Sequence, residues 1–283
     1  MTRVLGIHGV RNYKAADTTP GIGSKRLRTD WTAALGSSVP GLDLETAYYA
    51  DLLRSGRQGD ELDDAETVLV EEWARAWGVD PSGVQGRATG WLRWICGQVA
   101  QRSGQRPALV EKTVRAFFPE VARYFSTGRA AVRERVTAAL LRHRPDVVVA
   151  HSLGSVVAYE ALHGLADELE VRLLLTLGSP LALPHAVFHR LEPAPRDGRG
   201  ARPSGVRRWV NVADVGDFVA IPKGRLARVF PEVEELPEVS IAPAWPHSVL
   251  DYLRHRSVAE AIRTGAPTGR HAAGSPSGWS AKE

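Results

Sequence analysis

Hydrophobic and polar positions along this chain follow two rhythms. At either end, short apolar runs alternate with stretches of helical spacing, while the middle carries helical spacing alone. Residues 3–7 form an apolar run that ends in His8-Gly9-Val10 and opens into a polar, glycine-containing stretch, 11–25, without periodicity. This pattern predicts a buried strand feeding a long loop. A helical pattern over 24–35 and the β-branched and aromatic run LETAYYA at 44–50 follow, so the first fifty residues read as a βαβ unit with parallel strands.

From 51 to 128 the strand signals vanish. Trp73 and Trp77 stand four apart, Trp91, Trp94 and Ile95 share a face, and Val110, Val114, Phe117, Val121 and Phe125 continue one stripe. Pro81, Gly83, Gly86 and Pro107 divide the segment into three or four helices. The alternating rhythm then returns, with a helix at 129–142, a strongly apolar strand at 146–150, a helix at 155–169 and a strand at 171–177. A Pro/Gly/Arg-rich excursion at 183–205 leads to a strand at 208–213, a short strand near Val239 and a helix at 247–263. The expected fold is a three-layer α/β core with a mostly parallel sheet, built from 1–50 and 129–263 and interrupted by a helical insertion at 51–128. Residues 264–283 are of low complexity and are expected to be disordered.

Composition narrows the classes. No apolar run approaches the ~18 residues of a membrane span, and the N-terminal run is too short for a signal peptide, so the mature chain is expected to begin here. Cys96 is the single cysteine, which rules out an internal disulfide and a cysteine-based zinc site and leaves the cytoplasm as the default compartment. The net charge of +4 comes from basic residues interspersed with acidic ones, a poor match to a nucleic-acid surface.

The stretch DVVVAHSLGSVVAYE at 146–160 carries the most chemistry. An apolar run meets a turn of small residues and then an amphipathic helix, with Ser152 at the joint. Ala150 and Gly154, two before and two after the serine, suit a turn so sharp that larger side chains would strike the neighbouring strand or helix. Such a turn lifts the hydroxyl above the sheet and aims the N–H groups of the helix at an incoming oxyanion.

With its A-H-S-x-G elbow the sequence resembles the lipase- and esterase-like members of the α/β-hydrolase superfamily, departing from their usual pattern by one methyl group at Ala150. The resemblance implies the chain order nucleophile, acid, histidine. The acid is expected at Asp217, in a D-x-V-x-x-P-like loop, with Asp214 as the alternative. The histidine is expected at His247, which opens HSVLDYL after Pro243-Ala-Trp-Pro246, since His255 looks solvent-facing and His271 sits in the tail. His8-Gly9-Val10 resembles the oxyanion loop of the family, implying the N–H groups of Val10 and Leu153 as donors, with Gly9 allowing close approach. Leu177-Gly178-Ser179-Pro180-Leu181 resembles a segment that shapes the floor of such sites. The function implied is hydrolysis of a carboxylic ester through an acyl-enzyme on Ser152, without cofactor or metal.

In this reading the helical insertion is a cap, Trp73, Trp77 and Trp91 contribute to a hydrophobic or lipid-like substrate pocket together with Gly9 and His151, and the partner is a small-molecule ester. The same tryptophans also suit the insertion's own core. A thioesterase, peptidase or acyl-transferring cyclase with the same three residues, or a non-catalytic binding module of this fold, are the alternatives. Gly21-Ile-Gly23-Ser-Lys25 lacks the spacing of a nucleotide loop, and His185 with His189 lacks a third metal ligand. The arginines of 190–208 read as a solvated loop.

Overall fold

The computed structural model describes all residues except 16, 18, 20, 55–60, 84–88, 221–225, 238, 242–246 and 266–283. Its apolar runs become strands and its helical spacings become helices. The chain opens with β1 (Thr2–Ile7), α1 (Ile22–Leu35) and β2 (Leu42–Ala47). Four helices follow: α2 (Asp64–Ala76), α3 (Thr89–Ser103), α4 (Pro107–Arg123) and α5 (Arg129–His143). Then come β3 (Val147–His151), α6 (Leu153–His163), β4 (Val171–Leu177), β5 (Val206–Val212), α7 (Leu226–Val229), β6 (Val233–Glu235), α8 (Val249–Arg254) and α9 (Arg256–Gly265).

The six strands pair in the order β2-β1-β3-β4-β5-β6, every pair parallel. The order reverses between β1 and β3, and the crevice outside the carboxyl ends of those two strands is where open α/β sheets place their sites. Side chains alternate across the sheet as the pleat requires. Val148, Ala150 and Leu174 join a large apolar cluster containing α6 and most of the helical segment, whereas Val147, Val149 and Leu173 join a second cluster with α1, α8 and α9. Helices thus cover both faces, the architecture that an all-parallel sheet of continuous apolar strands demands.

Local chemistry explains several ends. α2 begins in a capping box, Asp63 accepting the N–H of Glu66 while the Glu66 carboxylate accepts that of Asp63. Pro119 lies inside α4, which hands over to α5 through a π-helical turn at Tyr124–Gly128.

Four details differ from the sequence expectation. The second strand stops at Ala47, because a 3₁₀ turn takes over at Ala50–Leu53. α6 ends at His163, short of 169. The expected helix over 247–263 is two helices, parted at His255, whose backbone is extended and whose ring nitrogen meets Ser257 Oγ at 2.8 Å. The strand expected near Val239 is a single bridge to Asp214, while the edge strand lies earlier, at β6. Trp94 is also exposed, unlike Trp91. Gly86, the stretch 243–246 and the tail from 266 lie outside the described residues. Among the described residues no helix is long and apolar enough to cross a membrane.

Candidate active site

Ser152 stands between β3 and α6 with φ 54° and ψ −129°, a conformation that costs a non-glycine residue on the order of 1–3 kcal/mol and persists only where its surroundings enforce it. Those surroundings are explicit. The Ser152 N–H donates to the carbonyl of Leu177 at 3.0 Å, and its carbonyl accepts the N–H and the hydroxyl of Ser155 at 2.9 and 2.7 Å. Ser179 Oγ lies 2.7 Å from Ser155 Oγ, so the Gly178-Ser179-Pro180 segment braces the elbow from below. A Cβ on Gly154 would lie 2.4 Å from the carbonyl oxygens of Ile7 and His8, and one on Gly9 would lie 2.6 Å from Ser152 Cβ. Only glycine lets the ends of β1 and α6 close around the serine.

On one side of Ser152 the side chains form a continuous chain of hydrogen bonds. Ser152 Oγ is 2.8 Å from His247 Nε2, and His247 Nδ1 is 2.7 Å from Asp217 Oδ2. Asp217 Oδ1 accepts the N–H groups of Val219 and Ala220, and Oδ2 also accepts the hydroxyl of Tyr252 at 2.9 Å. Burial alone would raise this carboxyl. The facing His247 and the four hydrogen bonds outweigh burial and hold it below the ordinary carboxylate value. An ionised Asp217 can only accept, so Nδ1 of His247 carries the proton and Nε2 is left to accept from Ser152. Such a chain can take the serine proton and stabilise the imidazolium that forms.

Asp214 faces elsewhere. Its Oδ1 accepts the N–H of Gly216 and its Oδ2 that of Ile241, both at 2.7 Å, tying the loop after β5 to the segment around Val239. Its N–H donates to Tyr252 Oη at 2.7 Å, which obliges the phenol proton to point at Asp217. Burial, then the charge of Asp217, pushes that phenol well above its ordinary value, so it remains a donor.

On the other side lies the loop after β1. Tyr49 donates its N–H to His8 Nε2 at 3.1 Å, so Nδ1 carries the His8 proton and donates to the carbonyl of Gly9 at 2.6 Å. Burial lowers His8 to about 4, keeping it in this neutral form. The Tyr49 hydroxyl donates to the His8 carbonyl. With the Gly9 carbonyl held by His8, the planar trans peptide points the N–H of Val10 the opposite way. The N–H of Leu153 belongs to the first turn of α6 and has no intrahelical acceptor.

The remaining expected residues are placed as follows. His151 is buried with its ring 4.7 Å from that of His247, its Nε2 has no hydrogen-bond partner, and burial, then the charge on His247, pushes it well below its ordinary value. Trp73 and Trp77 both donate their indole N–H to the carbonyl of Phe218, at 2.9 and 3.1 Å, and so fasten the residue after Asp217. Trp91 lies in the apolar cluster of the helical segment. Cys96 is buried there too, its thiol pushed by burial up to about 12, far from a reactive thiolate. Among the described residues, no group of three or more His, Cys, Asp or Glu could hold a metal ion.

Sequence reasoning passed over Tyr252 and Tyr49. Tyr49 had a faint signal, since a residue that follows the strand beside β1 must lie near His8. Tyr252 stands five residues after His247 in a short helix, and nothing in its spacing marks it. No family model matches the chain, no curated protein matches it and no solved structure matches it, so the residues themselves carry the functional reading.

Proposed function

We propose that the protein is a serine hydrolase of the α/β-hydrolase kind that cleaves a carboxylic ester through an acyl-enzyme on Ser152. The observation that carries this reading is the unbroken hydrogen-bond chain Ser152–His247–Asp217 at the switch point of the sheet, with the serine held in a strained turn. In the reaction Ser152 Oγ bonds to the acyl carbon as its proton passes to His247 Nε2. The carbonyl oxygen becomes an oxyanion facing the N–H groups of Val10 and Leu153. Collapse breaks the bond to the alkoxy oxygen, which leaves as the alcohol with the proton from His247. Water, deprotonated by the same nitrogen, then releases the acid and restores Ser152.

The helical segment at 51–128 acts as a cap in this reading, and its aromatic content favours a hydrophobic acyl or alkyl group. A reducing, cytoplasmic setting fits the lone, buried Cys96. One observation favours a second reading: Ser152 has no solvent-exposed surface. A nucleophile shielded from water suits passage of the acyl group to an alcohol or amine as well as to water, and product analysis separates the two.

Incubation of the wild type and Ser152→Ala with a fluorophosphonate tests the proposal. Stoichiometric labelling of the wild type at Ser152, with none on the variant, is expected. A folded wild type that takes up no label would overturn it.

A further inference from the structure

The loop that carries the Val10 N–H is held through two consecutive peptide planes. In the Gly9–Val10 peptide the carbonyl accepts from His8 Nδ1 at 2.6 Å and from Asn12 Nδ2 at 3.0 Å, leaving the N–H of Val10 on the opposite edge. In the Val10–Arg11 peptide the carbonyl also accepts from Asn12 Nδ2, at 3.0 Å, while the N–H of Arg11 donates to Glu120 Oε1 at 2.8 Å. Both edges of the second plane are therefore gripped, one by a residue of the loop itself and the other by α4 of the helical segment, 109 residues further along the chain.

This grip has something to resist. Arg11 has φ 61°, a left-handed backbone that a non-glycine residue adopts at a cost, so the loop released from its partners would relax away from this shape. Relaxation at Arg11 rotates the Val10–Arg11 plane, and through Val10 and the Asn12 amide shared by both carbonyls it disturbs the Gly9–Val10 plane that carries the Val10 N–H. A donor aimed a few tenths of an ångström off an oxyanion loses much of its effect, because its value lies in being fixed before the reaction begins. Glu120 is committed to this contact: its other oxygen, Oε2, is shut off from solvent and has no hydrogen-bond partner.

We infer that Asn12 and Glu120 are positioning residues that clamp the Val10–Arg11 peptide and thereby aim the Val10 N–H, which makes α4 part of the oxyanion apparatus rather than a cover alone. The inference rests on the serine-hydrolase reading above, and its test keeps the two apart.

The rate of fluorophosphonate labelling at Ser152 reports on the hole without knowledge of the natural substrate, since the phosphoryl oxygen occupies the oxyanion position. Saturation kinetics separate the maximal rate from half-saturation for the wild type, Glu120→Ala, Glu120→Gln, Asn12→Ala and the double alanine variant. Amide hydrogen exchange over residues 9–12 is followed in the same samples. Glu120→Ala and Asn12→Ala should each lower the maximal rate about 10- to 100-fold, short of the ~10²–10³ for outright loss of a donor. Half-saturation should stay within about threefold, and exchange in 9–12 should quicken. Glu120→Gln keeps an acceptor oxygen and should recover most of the rate. The double variant should cost less than the product of the singles, because both act on one peptide.

Rates within about twofold of wild type in both alanine variants would overturn the inference, whether or not exchange quickens. A fall that Glu120→Gln does not recover would overturn it for Glu120, because the carboxylate charge rather than the clamp would then be what matters. Absence of labelling in the wild type itself would remove the serine-hydrolase reading, a result visible before any variant is made.

Discussion

The two sides of Ser152 are built on different terms. Toward His247, Asp217 and Tyr252, the atoms the proposed reaction would use are side-chain atoms, buried and saturated: Asp217 alone accepts four hydrogen bonds. Toward the loop after β1, the atoms the proposed reaction would use are backbone N–H groups, and the side chains of His8, Asn12 and Glu120 grip the peptides of that loop. A single change on the first side removes a charge or a proton path. One on the second side loosens an angle. The first side should therefore fail abruptly and the second by degrees.

The sharpest break is at Asp217. Asp217→Asn removes the charge that faces the imidazolium and can invert the His247 tautomer, so kcat should fall by about 10⁴-fold. Asp214→Asn leaves the Ser152–His247–Asp217 chain intact and weakens the bonds to Gly216 and Ile241. It should cost about 1–2 kcal/mol of stability and less than about tenfold in kcat. Steady-state kinetics on a p-nitrophenyl ester together with thermal melting would rank the two, and the opposite ranking would move the acid to Asp214.

How much of this was legible in the sequence follows the same division. The sheet and the elbow could be read because each depends on residues close together in the chain, an apolar run and a turn of small residues, whereas the order of Ser152, Asp217 and His247 came from the resemblance to the α/β-hydrolase superfamily. Asp217 was preferred to Asp214 on its D-x-V-x-x-P-like continuation, and the structure sets Asp217 against His247 while Asp214 turns to Gly216 and Ile241. Trp73 and Trp77 were visible as helix-spaced aromatics and read as pocket or core, while their indole N–H groups turn out to hold Phe218 from more than 140 residues away. Glu120 carried no signal at all. A glutamate on a helix of mixed polarity looks like any solvated residue until the fold brings the Arg11 N–H to it. The break at His255 was missed because the periodicity continues through it.

Gly178 tests how tightly the proton side is packed. It has φ 54°, and a Cβ there would lie 2.7 Å from Asp217 Oδ2 and 3.1 Å from His247 Nδ1. Gly178→Ala combines an unfavourable backbone with pressure on the Asp217–His247 contact, and should lower kcat about 10- to 100-fold with a fall in melting temperature. The same substitution at Gly198, also left-handed but with open space around its Cβ, should affect stability alone.

Glu120 sharpens the comparison through pH. Burial raises its carboxyl from 4.5 to about 7, against the pull of the Arg11 N–H and charge, with Tyr49 the other titratable group facing it. A carboxyl whose folded value is raised binds its proton more tightly in the folded state. Its contribution to stability is complete below about 4.5 and is lost as pH rises through about 7. Glutamine does not titrate, so Glu120→Gln should gain on the wild type between pH 5 and pH 8 by up to about 3 kcal/mol. Denaturant melts at the two pH values measure this, and an advantage that does not grow with pH would mean that Glu120 is ionised throughout.

The smallest expected effect belongs to Tyr252, and its direction is more informative than its size. The phenol donates to Asp217 Oδ2, the oxygen that also receives His247 Nδ1–H, and so draws off part of the charge that would otherwise attract the imidazolium. In Tyr252→Phe the Oδ2 charge faces His247 undiminished. The acid limb of kcat/KM should then move upward. Above the limb kcat should stay within about fivefold of wild type, because Val219 and Ala220 still hold Oδ1 and the proton still sits on Nδ1. The Asp214 N–H loses its acceptor, which should lower stability by about 1–2 kcal/mol. A variant that is less stable but keeps its pH profile would reduce Tyr252 to packing. An upward shift would make it the group that moderates the acid, so that the proton side, for all its abruptness, would contain one graded control.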